Sequence, residues 1–455
     1  MTSIILISIV ISATVITLLF VFIFDIIIKN GEGGPKLSNP VKQFLKVETV
    51  TDGLSLPTSM EFIDNTNILV IEKDQGTVRL VSSVNGTLEE KPVLKVKVEN
   101  VAERGLLGVA ILKEDLRNNK HANNNSTNAV PANNESKPRV FLYFTEGSIN
   151  ENMQQSPRNK VFSYEWNRQN NSLINSNLIL DLPAEPGPYH QGGKLKIGPD
   201  GNLYVAIGDL NTVMGQLQNQ KNGTEPNNSS AILRVNPDNG LPADDNPFVN
   251  IDGLSRYYAY GIRNSFGIDF DPVTGVLWDT ENGEDSYDEI NIVDPGFNSG
   301  WAKIMGPASR NNITQQESLV VFPGSSYSDP AFSWKEQVGI TDIEFFNSTR
   351  LGTEYANNIF VGDINNGNLY YFEVNDNRTG LNFGTTVKNE NKDDNKRYTQ
   401  IGLQDLVADN KDELSAITFG TDFGRITDIE TGPDGFLYIL SYEDGKIYRI
   451  ILNEN

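Results

Sequence analysis

One pattern recurs along this chain: a turn, an apolar run with an aromatic, a polar turn and a second short run. It reads DNTNILVIEKDQGTVRLV at 64–81, PRVFLYFTEG at 138–147 and GPDGNLYVAIGD at 198–209. It returns as DPVTGVLWDTENG at 271–283, NNIFVGDINNGNLYYFEV at 357–374 and GPDGFLYILSYEDGKIYRI at 432–450. Leu69, Leu142, Leu203, Leu277, Phe360 and Leu437 mark equivalent points, at intervals averaging roughly 70–75 residues, longer than the ~40–45 of a minimal four-stranded blade. The runs are short, β-rich and bounded by Gly, Asp, Asn and Pro, and long amphipathic helical runs are lacking. Asp-Gly pairs at 200–201, 434–435 and 444–445 supply hairpin turns. Six such units with inserted loops, arranged radially, predict an all-β, six-bladed β-propeller. A pair of β-sandwiches with coincidental turns is the alternative. A length of 455 residues would ordinarily suggest about three domains, but the repeat assigns 41–455 to one propeller.

The N-terminus is a separate object. Residues 4–28 are almost wholly apolar, long enough to cross about 30 Å of hydrocarbon as a helix. No Lys or Arg precedes the run, and no A-x-A site follows it. Residues 1–29 are therefore expected to be a transmembrane anchor, with a cleaved signal as the alternative. Residues 30–40 (NGEGGPKLSNP) read as a linker. Asn-x-Ser/Thr sequons, among them Asn85, Asn222 and Asn347, accompany the expectation of an extracytoplasmic body, membrane-anchored or else secreted.

Composition narrows the chemistry. Fifty-nine acidic against 37 basic residues give a charge of −22, which repels phosphate backbones and argues against nucleic acid. The absence of Cys excludes disulfides, thiol nucleophiles and thiolate-held metals. Two His cannot form a three-His centre, so a metal here would be oxygen-ligated, Ca²⁺ or Mg²⁺. Three polar insertions, 115–138, 218–230 and 386–398, are expected to be mobile loops, and His121 falls in the first.

That leaves His190, in a His-x-Gly-Gly turn ahead of a strand, where backbone can approach a ligand closely and an imidazole suits general-base work. A loop histidine with only a structural hydrogen bond is the equal alternative. Arg263 and Asn264 stand at the end of a loop before a strand, where an arginine can grip a carboxylate. A surface ion pair would explain them as well. Glu281, Glu284, Asp285, Asp288, Glu289 and Asp294 crowd one segment among Gly and Asn, which suits Ca²⁺ or else a solvated acidic loop.

Taken together, ERGLLGVA (103–110), YHQGGKLKIGPDGNLYVAIGD (189–209), YGIRNSFGIDFDPVTGVLWDTENG (260–283), DEINIVDPGFNSGW (288–301), FSW (332–334) and GRITDIETGPDGFLYIL (424–440) resemble the soluble quinoprotein glucose/sorbosone dehydrogenases. These aldose sugar dehydrogenases use pyrroloquinoline quinone (PQQ) and are six-bladed propellers. The resemblance implies PQQ- and Ca²⁺-dependent oxidation of the C1 hydroxyl of a sugar to a lactone, with electrons passed to an external acceptor. It implies that His190 is the base. Glu103, Arg263, Asn264 and Arg425 would contact PQQ, and Trp334 would cover its ring. Gly283 and Glu284 would offer carbonyls to the Ca²⁺ that also binds PQQ. Glu289 and the Ser299 carbonyl would form a second, structural Ca²⁺ site.

Departures accompany the likeness. Asn365 stands where the family often has a Lys, Thr427 where it has a second cofactor Arg, Ala331 where it has an aromatic and Glu336 where it has a Thr. Arg104, Lys194 or Lys335 would be the cations to substitute for the lost pair. Two further readings follow from the losses: a non-enzymatic propeller that binds sugars or proteins at a cell surface, and a Ca²⁺-dependent propeller lactonase.

Overall fold

The computed structural model describes residues 34–113, 137–147, 156–310, 318–382, 403 and 405–453. The hydrophobic run 4–28, His121 and the insertion 386–398 lie outside these, as does the insertion 115–138 up to residue 136. Among the described residues no helix is long and apolar enough to cross a membrane.

The strands form six separate sheets of four or five strands, each antiparallel between chain neighbours. Their innermost strands are Pro57–Phe62, Leu106–Leu112, Leu195–Ile197, Ser265–Phe270, Ile340–Phe345 and Ile426–Thr431, which open blades one to six in chain order. Each of the six marker residues falls on the second strand of its blade. The sixth blade takes its outermost strand from the other end of the chain: Leu45–Thr51 pairs with Lys446–Leu452, which closes the ring. Lys36–Leu37, inside the segment read as a linker, pairs with Thr418–Thr421 as a fifth strand of blade five.

The sequence of a second strand such as NILVIE (67–72) explains the packing. Its apolar run is continuous because both faces are buried. Leu69 and Ile71 turn to blade two and Ile68 and Val70 to blade six. Every pair of neighbouring blades shares one such apolar cluster, so the core is six wedges rather than one centre. The innermost strands share no backbone ladder with one another, and side chains join them instead. Thr58, Thr341 and Thr427 hydroxyls donate to the carbonyls of Leu106, Ile426 and Pro57 at 2.8, 2.9 and 2.9 Å, each on the next innermost strand.

One insertion departs from expectation. The polar composition of residues 218–230 predicts a mobile loop, yet Asn219 is fully buried. Its side-chain amide donates to Asn298 Oδ1 and the Trp301 carbonyl at 3.0 and 2.7 Å and accepts from Val320 N–H at 3.0 Å. Full hydrogen bonding of the amide offsets the desolvation that burial of a polar segment would otherwise cost.

Candidate active site

All six innermost strands run the same way, so the residues that precede them gather on one face. Glu103, His190, Arg263 and Arg425 each precede one of these strands. The hairpins between second and third strands reach the same face, among them 282–287.

The His-x-Gly-Gly turn is tight for a reason. Gly192 and Gly193 have φ of +62° and +115°, and a Cβ on them would lie 2.6 Å from the Ala206 carbonyl oxygen and 2.5 Å from Leu107 Cβ. His190 itself holds φ of +59°, a strained conformation for a residue with a side chain. Glu103 supports that conformation: its carboxylate accepts the N–H groups of His190 and Gln191 at 2.7 and 3.3 Å. Burial raises the Glu103 pKa, against the opposing pull of His190 and Arg263.

The His190 ring is oriented from behind. Nδ1 lies 2.6 Å from Asp209 Oδ1, and Asp209 Oδ2 accepts from Trp301 Nε1 at 2.8 Å. A carboxylate at that distance fixes the proton on Nδ1 and leaves the Nε2 lone pair free. The imidazole retains 16% exposure, so it is reachable. The Arg263 guanidinium lies over the Trp301 ring at 5.4 Å and donates to the Asn282 carbonyl at 3.2 Å. Among the described residues Arg263 Nε and Asn264 Oδ1 are buried without a hydrogen-bond partner. The guanidinium N–H suits an anionic acceptor, and the amide oxygen suits a hydrogen-bond donor or a cation.

The acidic segment divides. Glu284, Asp285 and Asp294 are exposed, whereas Glu281, Asp288 and Glu289 are buried. Asp288 clamps backbone, accepting from Gly283, Val338 and Gly339 N–H at 3.0, 2.9 and 2.7 Å. Glu281 and Glu289 stand directly opposite on paired strands. Glu281 accepts from Arg263 N–H at 2.7 Å and from the Ser299 hydroxyl, and Glu289 accepts from Gly306 N–H. Burial, then the neighbouring Asp279, pushes Glu281 up to about 8; burial, then Glu281, raises Glu289 well above the carboxylate range. Two such carboxyls share a proton or a cation. Among the described residues no group of three or more His, Asp or Glu is arranged to hold a metal ion.

The structure thus brings together His190, Glu103, Arg263 and Asn264, with Glu289 and Ser299 meeting Glu281 below them. It does not bring Trp334 to them. That ring is 1% exposed and packs against Phe332, Tyr370 and Phe372 between blades four and five. The tryptophan at the site is Trp301, carried there on the long excursion 294–331. Arg425 shares the face but is 54% exposed and paired with Glu443 at 3.6 Å. The Gly283 carbonyl accepts from Gln337 Nε2 at 2.6 Å.

Of the other cations, Arg104 is bound to the Ala184 carbonyl and Glu185, and Lys194 to Asp342 and Asp428 at 2.8 and 2.9 Å. Lys335 is exposed. Thr427 is buried and commits its hydroxyl to ring closure, so it has left the ligand face altogether. Asp209 and Trp301 are site residues that the sequence reading does not single out, whereas Glu281 belongs to the acidic segment it names. For Asp209 the available signal was its place at the end of YVAIGD, a second strand returning to the face of His190.

Known proteins resemble this chain in sequence and in fold. The chain is 25% identical over 280 residues to the aldose sugar dehydrogenase YliI of Escherichia coli (strain K12), 60% of this chain and 63% of that protein. It is 27% identical over 277 residues to the quinoprotein glucose dehydrogenase B of Acinetobacter calcoaceticus, 57% of this chain and 52% of that one. These two matches span about half to two thirds of the relatives' own lengths. The fold matches the PQQ-bound aldose sugar dehydrogenase of Streptomyces coelicolor with a TM-score of 0.59 at 20% identity, covering 92% of this chain and all of that one. The family model described as glucose/sorbosone dehydrogenase matches residues 54–449, which hold the innermost strands of all six blades. The chain therefore belongs to the glucose/sorbosone dehydrogenase family.

Proposed function

We propose that the protein oxidises the C1 hydroxyl of aldose sugars to lactones, with PQQ and Ca²⁺ as cofactors and an external electron acceptor. The observation that carries this reading is the His190–Asp209 pair on the ligand face, beside Arg263 and Asn264. His190 Nε2 takes the proton of the C1 hydroxyl, and Asp209, on the other ring nitrogen, stabilises the imidazolium that forms. When bound, PQQ would take up the C1 hydrogen with its two electrons as a hydride, and Ca²⁺ would polarise the acceptor carbonyl. Arg263 and Asn264 offer their unpartnered polar atoms to the cofactor, and Arg425 and Lys335 supply further positive charge at the rim. Glu103 holds the His190 turn. Gly283 and Glu284 would offer backbone carbonyls to the cofactor's Ca²⁺, the Gly283 oxygen sharing its second lone pair with Gln337 Nε2. Glu289, the Ser299 carbonyl and Glu281 suit the structural one, because a cation there relieves the buried carboxylate pair. The hydrophobic run 4–28 holds the body to a membrane, on its extracytoplasmic side.

The test is titration of the full-length protein, purified in detergent, with PQQ in the presence of Ca²⁺. We expect a saturable change in cofactor absorbance and dye reduction that depends on an aldose. Absence of PQQ binding at tens of micromolar overturns the reading. It would favour a sugar- or protein-binding propeller, the reading that Thr427, Asn365 and the engaged Arg104 and Lys194 support. His190→Ala is expected to lower turnover by about 10²–10⁴-fold while PQQ still binds.

A further inference from the structure

At the opposite end of the ring, the innermost strands finish around a cavity of ≈ 560 Å³. The penultimate residues of five of them, Glu61, Lys196, Asp269, Glu344 and Glu430, line it, with Lys113 at its rim. Three observations distinguish this cavity from a solvated acidic patch.

The first is how the carboxylates are engaged. Asp269 accepts from Phe345 N–H at 2.8 Å and Glu344 from Thr431 N–H at 2.9 Å, each on the next innermost strand. Lys196 lies 2.9 Å from Asp269 and 3.7 Å from Glu344, so one of the two charges on that side is compensated. Glu430, the counterpart of Glu344 one blade on, is only 7% exposed, yet no hydrogen bond or ion pair reaches it among the described residues. Its neighbour Glu61 has a single contact of 3.9 Å with Lys113, whose side chain is 52% exposed.

The second is charge. Four carboxylates face two ammonium groups, so two negative charges are uncompensated when all are ionised. Burial raises the pKa of Glu61 and Glu430, against the opposing pull of Lys113 on the first and Lys196 on the second. The third is size. The acids are not grouped as ligands of one metal ion, and the cavity is in the range that takes a small organic molecule. Phe270 and Pro272 in its wall offer apolar surface to a methylene chain.

We propose that this far mouth of the channel binds a small organic dication, a linear diamine, with one ammonium group on Glu430 and the other toward Glu61. The site is separate from the His190 face and owes nothing to the dehydrogenase reading. Binding displaces protons held on Glu61 and Glu430, whose carboxyls burial pushes up, so it releases protons and tightens as pH rises. Glu344, Asp269, Lys196 and Lys113 are the other titratable groups facing the ligand.

Isothermal titration of the full-length protein in detergent with 1,4-diaminobutane at physiological salt tests it. We expect saturable binding of one equivalent, 1-aminobutane weaker by about tenfold or more, and Glu430→Gln weaker by about tenfold or more, the worth of one charge-assisted hydrogen bond. The heat should vary with the ionisation enthalpy of the buffer. No saturable binding at millimolar diamine overturns the proposal. So does equal binding by Glu430→Gln, or displacement of the diamine by an equal concentration of CaCl₂. If Glu430→Gln gives no cooperative melt, Glu61→Gln carries the same comparison. Sugar oxidation is not read in any arm, so the outcome is independent of the proposed activity.

Discussion

At the scale of single residues, the chemistry rests on how one imidazole is held. Asp209 binds the far side of the His190 ring and is itself fixed by the Trp301 indole and the Asn211 N–H. Asp209→Asn keeps the shape and most of these contacts but loses the charge that stabilises an imidazolium. We expect kcat for sugar oxidation to fall on the order of 10²-fold with PQQ affinity and KM little changed. Steady-state kinetics beside a cofactor titration checks this, and a variant of native turnover would remove Asp209 from the mechanism. His190 was legible in the sequence because histidine is scarce. Asp209 was not, because one acid among 59 carries no mark of its partner. Tryptophan misled for a related reason. The FSW segment places Trp334 on a strand, but only the packing of blades four and five determines that its ring is buried, whereas Trp301 reaches the site on an irregular excursion that no periodicity describes.

At the scale of the element, the innermost strands matter more than their short length suggests. Ile340–Glu344 and Ile426–Glu430 carry the identical sequence ITDIE. In both copies the threonine hydroxyl donates to the first carbonyl of the next innermost strand, and the aspartate accepts an amide of that strand, from Ile429 at 2.9 Å and Met60 at 2.7 Å. These bonds stand in for the backbone ladder that neighbouring blades lack. Thr341→Val and Thr427→Val keep volume but leave the Ile426 and Pro57 carbonyls without their donors. Each is expected to cost about 1–3 kcal/mol, read as a lower urea midpoint at unchanged m-value. A shift within error would show that the ring is held by its apolar wedges alone. The blade count was legible because second strands are buried on both faces and read as continuous apolar runs. The ITDIE repeat was equally visible, but its meaning depends on which strands face the axis. Thr427 shows the consequence: likeness to the family makes it a lost cofactor contact, and the structure finds it closing the ring.

At the scale of the whole molecule, ring closure concentrates charge where water is scarce. Joining Leu45–Thr51 to the C-terminal strand forces six innermost strands around one axis, and their acids are buried with Lys194 and Lys196 between them. Burial, then Asp269, pushes Glu344 up to about 8, and Asp342 and Glu430 are also raised, chiefly by burial. In the unfolded chain these groups titrate near pH ~4, so in the native protein they keep their protons to higher pH. The contribution of Glu344 to stability is then full below pH ~4 and is lost as pH rises through about 8, and Asp342 and Glu430 act in the same direction. Each tenfold change in proton affinity is worth about 1.4 kcal/mol, so Glu344 alone accounts for a few kcal/mol. We therefore expect the melting temperature, measured without divalent cations or amines, to fall by several degrees between pH 5.5 and 8.5. Repulsion within a body of charge −22 predicts the same direction, so the slope alone does not assign the cause. Two comparisons separate them. Raising salt screens the surface but not the channel, and should leave most of the slope in place. Glu344→Gln keeps an acceptor for the Thr431 amide yet removes the titrating group, and should flatten the slope at any salt. A slope that vanishes in high salt and is unchanged in the variant would place the pH dependence on the surface and leave the channel acids ionised against their lysines.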